Sequence, residues 1–68
     1  MKISYAPLFD TMQRKNISTY KLFKEGINSA TYYRMKDGGN VNVDTIAKLC
    51  KILNCSVSEI IEYIPDED

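Results

Sequence analysis

Hydrogen-bonding side chains of small size cluster in residues 28–36 of this 68-residue chain. At helical spacing Ile27, Tyr32 and Met35 fall on one side and can pack inward. The opposite side presents small or polar side chains with no carboxylate, namely Ser29, Ala30, Thr31, Tyr33 and Arg34. Small groups allow close approach, and Arg, Tyr, Ser and Thr supply hydrogen bonds, which is the chemistry a DNA groove requires. An ordinary solvated helix face has a similar composition, so the surrounding elements must decide whether this face contacts DNA or only solvent.

Helix starts are marked by a pattern that occurs four times. An apolar residue, a Ser or Asn, three further residues and a second apolar residue occupy positions 17–22, 27–32, 41–46 and 55–60. This spacing places a capping side chain at the N-cap and an apolar pair around it, which is a hydrophobic staple. Ser56 and Glu59 complete a capping box in the fourth occurrence. Ser4 can cap an earlier helix, in which Pro7 is tolerated in the first turn.

These starts predict an all-α domain of five helices over residues 5–15, 19–25, 29–36, 43–53 and 57–63. Gly26 and the pair Gly38-Gly39 suit left-handed helix ends. The fourth helix has an apolar stripe of Val43, Ile46, Ala47, Cys50 and Leu53. The fifth repeats Val57, Ile60, Ile61 and Ile64. Because no segment shows sustained two-residue alternation, no sheet is predicted. Residues 1–64 are expected to form one domain, with residues 65–68 as an acidic tail.

Charge is unevenly distributed although the net charge is zero. Residues 1–51 hold all nine Lys and Arg against four acidic side chains, a net +5, and residues 52–68 hold five acids and no base, a net −5. A basic body with an acidic tail indicates a polyanionic partner. A chain of this length buries only about 60% of its unfolded surface, so either a compact helical core or dimerisation would help stability.

Several functional classes are disfavoured by what the chain lacks. There is no apolar run long enough for a membrane span and no signal-peptide core, so a cytoplasmic location is expected. With two Cys and no His, there are too few ligands for a zinc site. Cys50 and Cys55 are expected to be small buried hydrophobes without a disulfide. No catalytic base, phosphate-binding loop or nucleophile elbow is found, so we expect neither enzyme activity, cofactor nor small-molecule substrate.

The second and third predicted helices are joined by a very short turn with Gly, which is the helix-turn-helix arrangement. The runs that carry a family resemblance are residues 18–22, 26–31, 34–38, 42–46 and 49–57. In these the chain resembles the lambda-repressor-like, Cro-type helix-turn-helix regulators, most of all the small single-domain bacterial type. The match covers nearly the whole chain, and residues 44–56 are its most specific part.

The resemblance implies five helices around one core, with Ser29–Lys36 as the recognition helix in the major groove of double-stranded DNA. It implies base-facing roles for residues on that helix or at its cap, namely Asn28, Ser29, Ala30, Tyr33 and Arg34. It implies contacts to the DNA backbone near Thr19 and on the loop of residues 39–42, which contains Asn40. Thr31 shares the outer face, and Lys24 and Lys36 flank the motif and are expected to contact phosphates.

Two questions remain open at the level of sequence. The first is whether the domain is a transcriptional regulator that reads DNA or a protein-interaction module, such as an antitoxin-like partner, built on the same fold. The second is oligomeric state. Leu49, Ile52 and Tyr63 exceed the needs of a five-helix core and predict a homodimer contact. The competing interpretation is that they widen the core of a monomer.

Overall fold

The computed structural model describes residues 2–65. Four α-helices dominate this part of the chain, preceded and followed by short strands. In chain order the elements are β1 (Lys2–Ser4), α1 (Ala6–Arg14), α2 (Thr19–Lys24), α3 (Ser29–Lys36), α4 (Val43–Leu53), one 3₁₀ turn (Val57–Glu59) and β2 (Glu62–Ile64). The prediction of a mostly helical domain is confirmed, and the prediction of five helices is wrong. Of the predicted acidic tail, residues 66–68 lie outside the described residues.

Three of the predicted helix caps form as hydrogen bonds. The side-chain oxygen of Asn28 accepts from the N–H of Ala30 at 2.7 Å, and that of Asn42 accepts from Thr45 at 2.9 Å. Ser18 accepts from the N–H three residues later at 3.4 Å. These bonds satisfy amide groups that the first helical turn leaves without an intrahelical partner. The starts of α2, α3 and α4 are therefore determined by residues that the sequence pattern marks.

The core lies where the four helices and the 3₁₀ turn meet. Its buried apolar members are Tyr5, Leu8, Met12, Leu22, Ile27, Tyr32, Met35, Ile46, Leu49, Leu53 and Ile60. Every helix contributes at least two of them except α2, which contributes Leu22 alone. Burial of such side chains stabilises a small domain by about 1.5–3 kcal/mol each before entropy is considered. α2 is therefore held by the buried Leu22 and by the half-buried Phe23, which packs against the core.

The predicted fifth helix is replaced by the 3₁₀ turn and β2. The hydroxyl of Thr11 donates to the carbonyl of Glu59 at 2.8 Å, and the N–H of Leu8 donates to the carbonyl of Ile60 at 3.1 Å. A helix through this segment would need the same carbonyls for amides four residues later. These two bonds join the backbone of residues 59 and 60 to α1, and after Ile60 the chain leaves the helical path and enters β2.

The last described residues then run extended and pair with the first. β1 and β2 form a two-stranded antiparallel sheet in which Ile3 lies opposite Tyr63. The prediction that the chain forms no sheet is therefore wrong. Three-residue strands are too short to show a two-residue alternation in the sequence. The capping box also fails to form, because Ser56 Oγ lies 2.9 Å from Ser58 Oγ and 3.4 Å from Glu59 Oε1 and accepts no backbone amide.

The apolar stripe of α4 is rotated from its predicted position. Ile46, Leu49 and Leu53 are buried, whereas Val43 is 80% exposed and Ala47 is also exposed. Val43 is the first residue of the helix and projects beyond the edge of the core. Leu49 has no exposed surface at all. The interpretation of Leu49 as a dimer contact is therefore wrong, because the side chain fills the interior of one chain.

The exposed apolar residues of the C-terminal segment are a further correction. Val57 and Ile64, predicted for the inner stripe of a fifth helix, are 51% and 40% exposed, and only Ile60 is fully buried. A 3₁₀ turn followed by a strand does not bring positions 57, 60 and 64 onto one face, so these three residues cannot share a buried stripe.

The two cysteines are free thiols and half-buried, not fully buried as predicted. They face each other across the end of α4, where Asn54 adopts a left-handed conformation and the N–H of Cys55 donates to the carbonyl of Cys50 at 3.0 Å. Burial, reinforced by the neighbouring Cys50 thiol and Glu59 carboxylate, raises the pKa of the Cys55 thiol above its usual value. The neutral thiol is therefore favoured, which is typical of a structural cysteine.

Candidate nucleic-acid interface

A four-residue turn orients α3 relative to α2. α2 ends at Lys24 and α3 begins at Ser29. Gly26 has a φ of +108°, and the following residue, Ile27, donates its N–H to the carbonyl of Leu22 at 2.9 Å. Ile27 is itself buried. A side chain at position 26 would be strained by this left-handed angle, so the glycine allows the turn to be this short.

Tyr32 anchors the inner face of α3. Its ring meets Phe9 and Phe23 edge-on, with centroid separations of 5.9 and 5.8 Å, and contacts Tyr33 in the same manner at 5.3 Å. Edge-to-face pairs of this kind add about 0.5–1.5 kcal/mol each beyond the burial of their area. Met35, one turn further along, is almost completely buried. These two residues fix which side of α3 faces outward.

The outward side of α3 carries the predicted groups on one surface. Of the predicted residues on α3 and its cap, those that are exposed are Asn28, Ser29, Ala30, Tyr33, Arg34 and Lys36. Thr31 is half-buried and lies at the margin of this surface. Tyr33 remains 56% exposed although one edge of its ring contacts Tyr32. We call the surface formed by these seven residues the α3 face.

No acidic side chain belongs to the α3 face, and its cations are not engaged by carboxylates within the described chain. The ion pairs found among residues 2–65 both involve Arg14, which contacts Asp10 at 2.9 Å and Glu59 at 3.8 Å. Within residues 2–65, Arg34 and Lys36 thus form no ion pair. Asp37, the first acid after the helix, is its C-cap residue.

The remaining predicted residues lie outside the α3 face. Thr19 is the first residue of α2 and is half-buried, and Lys24 is the last residue of that helix and exposed. Asn40 is exposed in the loop between α3 and α4. Thr19 and Lys24 thus lie at the two ends of α2, and Asn40 lies in the loop that follows α3.

Sequence reasoning missed Tyr20. It is the second residue of α2, and 72% of it is exposed although its ring is large. Leu22 is the only buried residue of α2, and a residue two positions away on a helix points to a different side. That spacing was the signal in the sequence that could have placed the Tyr20 hydroxyl outward.

A basic groove lies on another side of α2, between that helix and α4. It has a volume of about 540 Å³ and is lined by Lys21, Glu25, Ala47, Lys48, Lys51 and Ile52. Three of the six lining residues are lysines, whereas Glu25 is the single acid. The groove was not predicted, because α2 and α4 are far apart in the sequence.

A comparison with known protein families agrees with the helix-turn-helix arrangement of α2, the turn and α3. The model of the Cro/C1-type helix-turn-helix DNA-binding domain matches residues 8–66, so the chain belongs to that family. The resemblance noted in the sequence is thereby confirmed. DNA binding defines this class of domain.

A solved structure shares the fold. The crystal structure of the transcriptional regulator VanUg, form II, superimposes with a TM-score of 0.84 over 96% of this chain and 88% of that one. The two sequences are 23% identical, so the likeness concerns the fold alone. No curated protein matches the chain. Among residues 2–65, no helix has the length and apolar character needed to cross a membrane.

Proposed function

We propose that this domain binds specific sequences of double-stranded DNA as a small transcriptional regulator, with α3 lying in the major groove. The observation that carries the proposal is the α3 face, which is exposed, free of carboxylates and held by a buried Tyr32 behind it. A second helix of a helix-turn-helix presents its N-terminal residues to base edges in this geometry. Ser29 and Ala30 are small enough to permit close approach.

Base reading is assigned mainly to Arg34 and Tyr33, with Asn28, Ser29, Ala30 and Thr31 completing the surface. The Arg34 guanidinium can donate two parallel hydrogen bonds to one guanine, an arrangement that contributes about 1–3 kcal/mol of discrimination against other bases. The Tyr33 hydroxyl can donate or accept.

Selection of bound duplexes from a random pool, followed by sequencing, tests the proposal. We expect one enriched motif. Arg34→Ala should then weaken binding to the selected site by about 1–3 kcal/mol and leave binding to a scrambled duplex nearly unchanged. Equal weakening on both duplexes would reassign Arg34 to a phosphate, and unchanged affinity for both would remove it from the interface.

Phosphate contacts are assigned to Thr19, Lys24, Lys36 and Asn40. Each lysine that neutralises one phosphate should contribute about one unit to the slope of log K against log salt. Lys24→Ala and Lys36→Ala are therefore expected to give shallower slopes. Lys15→Ala is the control, because Lys15 lies at the end of α1 near Cys55 and not on the helix-turn-helix unit. Equal slopes in all variants would show that the two lysines are only surface charge.

The alternative of a protein-interaction module is favoured by one observation, the basic groove between α2 and α4. A partner segment with acidic side chains would complement Lys21, Lys48 and Lys51 there. The duplex selection separates the two functions, because a module that only binds proteins should enrich no motif.

We also propose a homodimer, in which a second copy covers the exposed side of β2. Tyr63 is 57% exposed and Ile64 is 40% exposed, and within residues 2–65 the sheet has only two strands, so β2 offers an unpaired edge. Ile52 is half-buried and remains a candidate contact. Leu49 is not a candidate, because its side chain is fully buried. A two-fold dimer would space two recognition helices about one DNA turn, roughly 34 Å, apart.

Sedimentation and the selected motif test the dimer together. We expect a mass that rises above 7.8 kDa at micromolar concentration and an inverted repeat with half-sites about 10 bp apart. Tyr63→Lys should abolish the rise in mass with helical circular dichroism intact. Leu49→Lys serves as the contrast and should unfold the monomer, because it places a charge in the core. A monomeric mass with an asymmetric motif would contradict the dimer.

A further inference from the structure

A chain of three contacts links the buried start of α1 to the α3 face. Tyr5 is 6% exposed, and its hydroxyl donates to the carbonyl of Gly39 at 2.7 Å, across 34 residues of sequence. On its other side Gly39 donates its N–H to the carbonyl of Arg34 at 2.8 Å. The backbone of Gly39 is therefore held from two directions, and the loop at this point cannot shift without breaking a hydrogen bond.

The side chain of Arg34 lies directly against that backbone. A Cβ atom built at position 39 would lie 2.6 Å from Cγ of Arg34, 3.4 Å from its Cδ and 3.2 Å from its backbone carbonyl oxygen, so the closest of these contacts is with the side chain. Carbon atoms that are not bonded to each other prefer a separation of about 3.5–4.0 Å. Any other residue at position 39 would therefore occupy space that the aliphatic stem of Arg34 now fills.

Backbone conformation does not explain the glycine at this position. Gly38 has a φ of +83°, which favours glycine, but a Cβ at position 38 would meet no atom within 4 Å. Gly39 lies outside the left-handed region. The two neighbouring glycines thus have different causes: Gly38 permits the turn, and Gly39 leaves room for Arg34, for its side chain above all and also for its carbonyl oxygen.

We propose that Gly39, held in place by the Tyr5 hydroxyl, is a positioning residue that sets the rotamer of Arg34 and so determines sequence specificity from outside the recognition helix. The inference rests on the proposed function, in which α3 reads DNA. A long side chain that is held in place before binding loses less conformational entropy on binding. Two parallel hydrogen bonds to one guanine also require a defined orientation of the guanidinium.

Binding measurements on five variants test the proposal against the duplex selected by the wild type and a scrambled duplex. The variants are Arg34→Ala, Gly39→Ala, Gly38→Ala, Tyr5→Phe and the double variant Arg34→Ala with Gly39→Ala. We expect Gly39→Ala to reduce the ratio of specific to scrambled affinity by about tenfold, within the range of the Arg34→Ala loss. Tyr5→Phe should reduce it less, because the ring stays and only the hydroxyl is lost.

The double variant separates positioning from a general effect on the loop. In the Arg34→Ala background, Gly39→Ala should change the specificity ratio by less than about twofold, because the side chain that it displaces is absent. The contact with the carbonyl oxygen of residue 34 remains in both backgrounds, so any loss that it causes appears equally with and without the Arg34 side chain. Gly38→Ala is the matched control: it strains the backbone and lowers stability, but it leaves the specificity ratio unchanged. The melting temperature of each variant is measured first, and binding is then measured well below it.

A measurement without DNA tests the same contact directly. The Nε–H group of Arg34, followed by ¹⁵N relaxation in the free protein, should be ordered in the wild type and in Gly38→Ala and mobile on the nanosecond scale in Gly39→Ala. Equal mobility in the wild type and Gly39→Ala would overturn the inference.

The binding outcomes distinguish failure of the inference from failure of the proposed function. If Gly39→Ala lowers specificity equally with and without Arg34, or has no effect, Gly39 does not act through Arg34 and the inference is wrong, although DNA reading by α3 stands. If Arg34→Ala itself leaves both affinities unchanged, the base-reading role of Arg34 fails, and the inference fails with it.

Discussion

Residues 27–32 and residues 55–60 have the same arrangement of side chains but different structures. In both, the second apolar residue of the staple is buried, Tyr32 at 6% exposure and Ile60 at 0%. The first staple begins an eight-residue α-helix, and the second begins a 3₁₀ turn of three residues. Two copies of one local signal therefore produce two outcomes within a single small domain.

The difference lies in what each segment meets after its first turn. α3 buries Met35 one turn beyond Tyr32, so a continued helix keeps burying apolar surface. Beyond Ile60 the chain instead runs as a strand in which Tyr63 and Ile64 stay exposed, and the carbonyls of Glu59 and Ile60 are bonded to α1. A staple therefore sets where a helix can begin, whereas its length depends on tertiary contacts.

The largest expected effect that tests this comparison is the difference in unfolding free energy between Ile60→Ala and Val57→Ala. Ile60 is the single fully buried residue of the C-terminal segment, so its truncation should lower the free energy of unfolding by about 2–5 kcal/mol. Val57 is half exposed, and its truncation should cost less than about 1 kcal/mol. Urea denaturation measures both. Similar losses would mean that both residues share a buried stripe, as a fifth helix would require.

An intermediate effect is expected for Thr11→Val. The substitution keeps the shape of the buried side chain but removes its hydroxyl, which donates to the Glu59 carbonyl at 2.8 Å and accepts from Arg14 at 3.1 Å. The free energy of unfolding should fall by about 1–3 kcal/mol, since the partly buried Glu59 carbonyl loses its donor. Thr45→Val is the control, because that hydroxyl bonds to Asn42 at the surface. An equal loss in the control would indicate that Thr11 does not hold the C-terminal segment.

Substitution of the two N-cap residues, Asn28 and Ser56, should have unequal and smaller effects. Asn28→Ala removes the acceptor of the Ala30 amide and should cost about 1 kcal/mol. Ser56→Ala should cost only a few tenths of a kcal/mol, since that hydroxyl caps no backbone amide. Thermal unfolding without DNA measures both. Equal costs would show that the second staple is capped in solution.

The smallest effect concerns Cys55, the first apolar residue of the second staple. Because burial raises its pKa, the thiolate fraction at any pH near 8 is smaller than for a free cysteine. Alkylation by iodoacetamide, resolved by mass spectrometry, should be slower at Cys55 than at the same residue in urea. Its rate should rise with pH through a midpoint above that of a free thiol. Equal rates in both conditions would contradict the burial of this residue.

Much of the candidate site could be predicted because it depends on local spacing. The cap at Asn28, the buried Tyr32 and the exposed Arg34 lie within seven residues, and helical geometry alone separates inner from outer positions. The positions of Leu49 and Val43 could not be predicted so well. Both are apolar residues of α4, and only the location of the neighbouring elements determines which side of that helix is covered.

The sequence by itself determined where α2, α3 and α4 begin, the polar character of the α3 face and the family to which the chain belongs. Only the tertiary structure decided that the chain leaves the helix after Ile60 and that β1 pairs with β2. The hydrogen bond between Tyr5 and Gly39 was also decided by the tertiary structure alone. The physical reason is separation along the chain, since caps and staples join groups only a few residues apart. Thr11 and Glu59 are 48 residues apart, and Tyr5 and Gly39 are 34 apart.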